Sequence, residues 1–430
     1  MESRTTSAAP LTTALLAAPL ALPFALAVTG CGKADQPSAG QTAAGTARLE
    51  YWDPDTKQLI KSRGTDLYGQ FIGEREWYHR NQTLAKKGQY DDQGREIGEW
   101  MEYHQIGTPA ARYSYAEGAL DGDLVRWHPT GEEAERGQFD MGKQVGSWTA
   151  LYASGEVKSK RSFKDGLEDG ELLEFWESGA VGQRGRFVSG KKEGVFESLA
   201  EDGTVLQRVE FKADVPASAF EAWYPSGQRR HVKGTRDGLV HGAETLWFES
   251  GQVRARRTWD SGKIVGVDRT FHENGERHIE VVYEAGLMEG VLRSWHPSGS
   301  LQALVNHEGG VRAGLARDWA PDGQLLAVEN YVAGKRRGLQ QTWHPNGLRK
   351  GFSSFTEDQL TGERFVWDES GQLMEQLSGV YQQGRKVGPL DDAARTRAAE
   401  LAGSTAPMPV DTEAPDPFLE YDLNGERRSG

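Results

Sequence analysis

Residues 287–310 read LMEGVLRSWHPSGSLQALVNHEGG, and residues 311–334 read VRAGLARDWAPDGQLLAVENYVAG. The two lines align without a gap: Gly290 with Gly314, Trp295 with Trp319, Gly299 with Gly323 and Gly310 with Gly334. The same 24-residue register holds across most of the chain. Gly131, Gly155, Gly179, Gly203, Gly227, Gly251, Gly275, Gly299, Gly323, Gly347 and Gly371 form an unbroken column. A second column runs from Gly98 to Gly362 with Ser218 as its exception. A third lies four residues ahead of the second, with Asp214 and Asp358 as substitutes. Columns of this regularity mark a repeat array. They also give a positional reason for 53 glycines in 430 residues, well above the usual share of roughly 7%.

Apolar residues keep the same register. Tyr103, Trp127, Leu151, Phe175, Leu199, Trp223, Trp247, Phe271, Trp295, Trp319, Trp343 and Trp367 form one column. Tyr115, Phe139, Phe163, Phe187, Phe211, Trp259, Tyr283, Tyr331 and Phe355 form another, with Thr235 and His307 as departures. Between them lie Pro-Ser-Gly at 297–299, Pro-Asp-Gly at 321–323 and Pro-Asn-Gly at 345–347. There Pro presets φ and Gly supplies the positive φ of a tight turn. We therefore read Gly131, Gly155, Gly179, Gly227, Gly251, Gly275, Gly299, Gly323, Gly347 and Gly371 as structural turn residues. Apolar residues of one parity flank these turns, the period-2 signal of a half-buried strand. The expected fold is all-β: an elongated antiparallel meander or solenoid of about 13–14 hairpins. It spans residues 49–388, with atypical end units and a tail at 389–430 in which Asp391–Ala402 can form a short helix.

A roughly 24-residue unit with G-K-x-x-G, paired aromatics and x-[Ser/Asn]-G resembles the MORN-repeat variant family, some bacterial members of which are labelled YwqK-type antitoxins. The resemblance covers about residues 50–388. It implies a shared hairpin architecture and interaction roles rather than one reaction, and for the antitoxin type a cognate toxin as partner.

The N-terminus reads as an address. Leu11–Val28 is almost entirely apolar but is broken by Pro19 and Pro23, and it leads through Thr29 and Gly30 to Cys31, the single cysteine. Val28-Thr29-Gly30-Cys31 resembles the lipobox of bacterial lipoproteins, in which small residues enter a peptidase cleft and the thiol is acylated. The expectation is a signal peptide at 1–30, acylated Cys31 with a flexible linker at 31–48, and an outer-membrane, lipid-anchored envelope protein. The alternative is an ordinary signal peptide followed by a free thiol.

Net charge is −13, which argues against nucleic acid as partner. One cysteine excludes an internal disulfide and a CxxC pair. The column of His104, His128, His272, His296 and His344 repeats at a pitch of roughly 10 Å, too long for one ion to be shared. His272-Glu273 through His278 lacks the spacing of a zinc-protease helix, and Gly142-Lys143 and Gly190-Lys191 lack the Ser or Thr of a phosphate loop; these G-K segments read as turns. Serines recur at turns, as Ser250 and Ser298 do, whereas a nucleophile is singular. No catalytic residue, metal site or cofactor is expected. The Trp columns admit two readings, core or binding groove; on the second, Trp223, Trp247, Trp295, Trp319, Trp343 and Trp367 are candidate binding residues. The functional expectation is a non-catalytic scaffold binding a protein or a glycan. An antitoxin or immunity protein and a structural spacer stand as alternatives.

Overall fold

The computed structural model describes residues 45–403, and its secondary structure lies in one unit that begins at Thr46. The signal region, Cys31 and the tail beyond residue 403 lie outside the described residues. Thirty-four strand segments follow one another along the chain, each paired antiparallel with its neighbours in sequence, in one meander that does not close into a barrel. Five are two-residue pieces; four, such as Ala119–Leu120, are continued one residue later, and Val215–Pro216 resumes at Phe220. The first strand, Thr46–Tyr51, pairs with Ile60–Leu67. The last residues assigned to the linker, Thr46 to Arg48, thus belong to the sheet, where Arg48 is ion-paired with Asp66.

Each period contains two different turns and one bulge. At His272–Gly275 the Gly275 N–H donates to the His272 carbonyl at 2.9 Å, and the His272 N–H to Glu276 at 2.8 Å. The column glycines here have φ between 82° and 97°. The pairing register shifts at the same place, as in a type I turn with a glycine bulge. The opposite turn is a two-residue connection in which both residues have positive φ, for instance Ala285 at 50° and Gly286 at 90°. This is the turn whose twist matches that of the strands it joins. Its Gly N–H reaches the preceding period, from Gly286 to the Ile264 carbonyl at 3.0 Å. In the G-K-x-x-G segments only the first Gly is a turn residue. The second, such as Gly146, sits inside a strand at a shift in register. Its φ of 68° marks a β-bulge rather than the turn read from sequence.

Alanine is strained at the first position of the two-residue turn, because its Cβ crowds the backbone when φ is positive. Replacing Ala285 or Ala333 (φ 50° and 48°) by Asn is expected to stabilise the protein by roughly 0.5–1 kcal/mol per site. Equilibrium unfolding checks this, and a loss of stability would count against the turn assignment.

Side chains alternate between two faces along every strand. On one, here called the core face, Trp100, Leu124, Trp148, Leu172 and Phe196 are buried. The aromatic column that includes Tyr90, Tyr115, Phe139 and Phe163 packs beside them. Rings meet edge to face: Phe139 with Trp148 at 5.2 Å, Phe187 with Phe196 and Phe196 with Phe211 at 5.4 Å, the geometry aromatic pairs prefer. Large rings alternate with Leu from one period to the next, and glycines face the large ones. A Cβ on Gly88, Gly137 or Gly185 would lie 2.0, 2.2 or 2.4 Å from Trp100, Trp148 or Phe196.

At the far end the helix Asp392–Ala402 starts at Asp391, whose carboxylate accepts from the Ala394 N–H at 2.7 Å, an N-cap. The helix buries Ala394 and Ala398 against Phe365, Trp367 and Leu390. It thereby covers the second face at the last hairpins.

Candidate functional site

The second, open face can be followed rung by rung. Arg63 pairs with Glu76, Glu76 with Lys87, Lys87 with Met101, Met101 with Arg112, Arg112 with Val125 and Val125 with Arg136. The rungs continue through Thr149, Lys160, Leu173, Arg184, Glu197 and Arg208. Every second strand across this stretch therefore contributes one cation at the same height, and all seven are exposed. Arg63 is ion-paired with Glu76, Arg136 with Glu133, and Arg184 and Arg208 with Glu197. Arg112 and Lys160 form no ion pair among the described residues, and Lys87 stands opposite Glu76, whose carboxyl its charge helps to hold below the ordinary range. Burial pushes the Glu197 carboxyl up, but hydrogen bonds and charge from Arg208 and Arg184 outweigh it and hold the group below the ordinary range.

Beside the cations runs the first aromatic column. Arg63 lies over Tyr78 at 5.6 Å, Lys160 over Phe175 at 6.0 Å and Arg208 over Trp223 at 5.7 Å. These are cation–π distances, and the partner stands fifteen residues after the cation each time. Beyond Arg208 the row changes to Val232, Arg256, Glu280, Leu304, Val328 and Phe352. Arg269, Arg293 and Arg317 stand on the strands between, so the row becomes apolar only at its last rungs, Phe352 and Phe365 beneath the helix.

Of the Trp residues expected to bind, Trp223, Trp247 and Trp295 are half-buried. Arg277 lies over Trp295 at 5.6 Å. Trp319, Trp343 and Trp367 are 5%, 3% and 1% exposed. Trp319 and Trp343 pack together with Leu325, and Trp367 lies under the helix. These three indoles are core and offer no ring face to a partner.

The His column acts as a set of latches. His272 Nε2 meets the Trp295 carbonyl at 2.8 Å, His296 that of Trp319 at 2.9 Å and His344 that of Trp367 at 2.9 Å. His104 and His128 do the same at 3.0 and 3.1 Å. Where the residue differs, Tyr152, Trp176 and Tyr224 donate to the equivalent carbonyl. The common property of His, Tyr and Trp here is a donor at the tip of a ring, and each tie joins one period to the next. His296→Phe, which keeps the ring and removes the donor, is expected to cost about 1 kcal/mol. His296→Tyr should restore most of it, as judged by thermal unfolding; equal stability of all three forms would refute the latch.

A buried polar cluster on the core face was not evident from the repeat pattern. The column Trp148, Leu172, Phe196 and Phe220 continues as Glu244 and Asp268. Glu244 receives His231 at 2.6 Å and Trp259 Nε1 at 2.8 Å, and Arg257 stands 3.2 Å from Asp268. Burial pushes Glu244 up, yet the His231 and Trp259 hydrogen bonds and nearby charge hold it below its ordinary value. Burial dominates at Asp268 and keeps its carboxyl above the ordinary range despite Arg257. The signal in the sequence was the break from apolar to acidic at one column position. Among the described residues no three His, Cys, Asp or Glu side chains assemble as a metal site.

The family model described as MORN repeat variant matches residues 360–379. Residues 360–379 are a MORN repeat variant. The matched stretch covers most of the strand Gln359–Val366 and the turn closed at Gly371, so the MORN variant sits directly beneath the helix. No curated protein matches the chain. Among solved structures, the Photorhabdus luminescens Tc holotoxin pore with mutated TccC3 is 11% identical, covers 79% of this chain and 21% of its own, and gives a TM-score of 0.14. TcdB2-TccC3 is 10% identical with coverage of 79% and 22% and a TM-score of 0.15. TcdB2-TccC3-Cdc42 is 12% identical with coverage of 76% and 23% and a TM-score of 0.14. The chain spans about a fifth of the length of these structures, and TM-scores this low establish no common fold.

Proposed function

We propose that this protein is a non-catalytic binding scaffold of the bacterial envelope, anchored through acylated Cys31, whose open face engages an extended partner. The observation that supports it most directly is the repetition of that face. The same exposed cation and, in several periods, the same half-buried aromatic recur at one height on successive hairpins. Repetition at fixed pitch suits a ligand that is itself extended and periodic, as in other solenoids that bind along a continuous surface. The lipobox-like Val28–Cys31 supports the envelope location.

The test is photo-cross-linking in intact envelopes, with a photoreactive residue in place of Lys160 or Trp223 on the open face and Glu135 on the core face. Cross-linked species from the first two and none from the third are expected. Equal yields from all three, or none from any, would sink the scaffold reading.

A further inference from the structure

We propose that the cation row from Lys87 to Arg208 binds a linear acidic polysaccharide, laid across the strands with one anionic sugar per hairpin. This rests on the scaffold reading and names its ligand class. Successive cations are two strands apart, about 10 Å, which is the advance of one disaccharide unit in a linear glycan. A polymer with a carboxylate on every second sugar therefore meets one cation per period. The neighbouring aromatic column supplies what a sugar's C–H face packs against. The unit of cation plus aromatic occurs with the same offset at Arg63/Tyr78, Lys160/Phe175 and Arg208/Trp223. A depression of about 540 Å³ lies on the row, where Arg184, Arg186 and Arg208 outnumber Glu171 and Glu197.

Charge pattern narrows the class. On the other side of the cations the intervening strands carry Glu74, Glu99, Asp123 and Glu171, so a second line of anions beside the first is repelled. A nucleic-acid strand, with a phosphate every 3.4 Å or so, overfills a row built at three times that spacing. A peptide added as a strand needs an open sheet edge, whereas this row crosses the middle of strands that are already paired on both sides.

The experiment is calorimetric titration of the full-length protein in detergent with hyaluronan oligosaccharides of increasing length, which carry one carboxylate per disaccharide, at low and at high salt. Affinity is expected to climb with each added disaccharide until the oligomer spans the row, and to fall with salt. Replacing Arg112 and Arg136 together by Gln should weaken binding roughly tenfold or more. Replacing the exposed Lys191 and Lys263, which lie beside the two-residue turns, should not. Unchanged melting of both variants rules out misfolding as the cause. Absence of binding, affinity independent of length, indifference to the Arg pair, or single-stranded DNA of equal charge binding as tightly would each overturn the proposal. Loss of glycan binding with open-face cross-links retained removes the glycan and leaves the scaffold; loss of both removes both.

Discussion

Gly137→Ala is expected to destabilise the protein by about 3 kcal/mol, far more than one added methyl costs at an ordinary surface strand position. The new Cβ would lie 2.2–2.6 Å from three atoms of the Trp148 ring, so either the ring or the strand must move. The ring is fenced edge-on by Phe139 at 5.2 Å and by Phe163 at 5.8 Å, and it is 6% exposed. Interiors of this density do not absorb such a shift. Trp148→Leu alone leaves a cavity and should cost a comparable amount. Combined with Gly137→Ala it should cost much less than the sum, because Leu124 and Leu172 show that the column accepts Leu one period away on either side. Gly388→Ala, with nothing within 4 Å of the added carbon, serves as the neutral control, expected within about 0.5 kcal/mol of the parent. Urea unfolding of the four proteins gives the coupling energy. Strict additivity, or a silent Gly137→Ala, would mean the glycine is not there to seat the ring.

That pairing explains what the sequence made legible and what it hid. The 24-residue columns of Gly and aromatic residues were enough to read hairpins, because the positive φ of each turn calls for Gly at nearly every copy, Asp214 and Asp358 being the substitutes in one column. Trp100, Leu124, Trp148 and Leu172 occupy one column position, and a reading that scores them alike as apolar misses that large and small alternate. The clue was Gly88, Gly137 and Gly185, which fall outside all three glycine columns. The His latches are hidden for a related reason: as letters His, Tyr and Trp share only a ring, whereas the hydrogen-bond donor at the tip of each holds one period to the next. The cations at 63, 87, 112, 136, 160, 184 and 208 were visible as a spacing. What they face depends on cross-strand register and bulges, which composition does not carry. Burial of Trp319, Trp343 and Trp367 likewise needed the helix and the neighbouring column in place.

Ala398→Asp is expected to release the helix and expose the last hairpins while leaving the distant periods folded. Ala398 is fully buried and Ala394 is 1% exposed, so the new carboxylate must leave water with no partner at hand, a penalty of at least about 3 kcal/mol. An eleven-residue helix is marginal by itself, so undocking is the cheaper response. What undocking uncovers is Phe365, Trp367 and Leu390, a face with no other cover in the sheet. The effect should stay local because each hairpin is stabilised mainly by its neighbours, which makes the array nearly one-dimensional. Hydrogen exchange is therefore expected to show protection lost from Gln359–Val366 through Arg385–Gly388 and kept around Trp100 and Trp148. Trp367 emission should shift to the red as its indole meets water. Glu400→Ala, on the exposed side of the same helix, should change neither. If protection were lost everywhere at once, the array would be a single cooperative unit and the helix a keystone for all of it. If nothing changed, the apolar end of the open face would not depend on the helix, and the contrast between its covered end and its cationic end would need another cause.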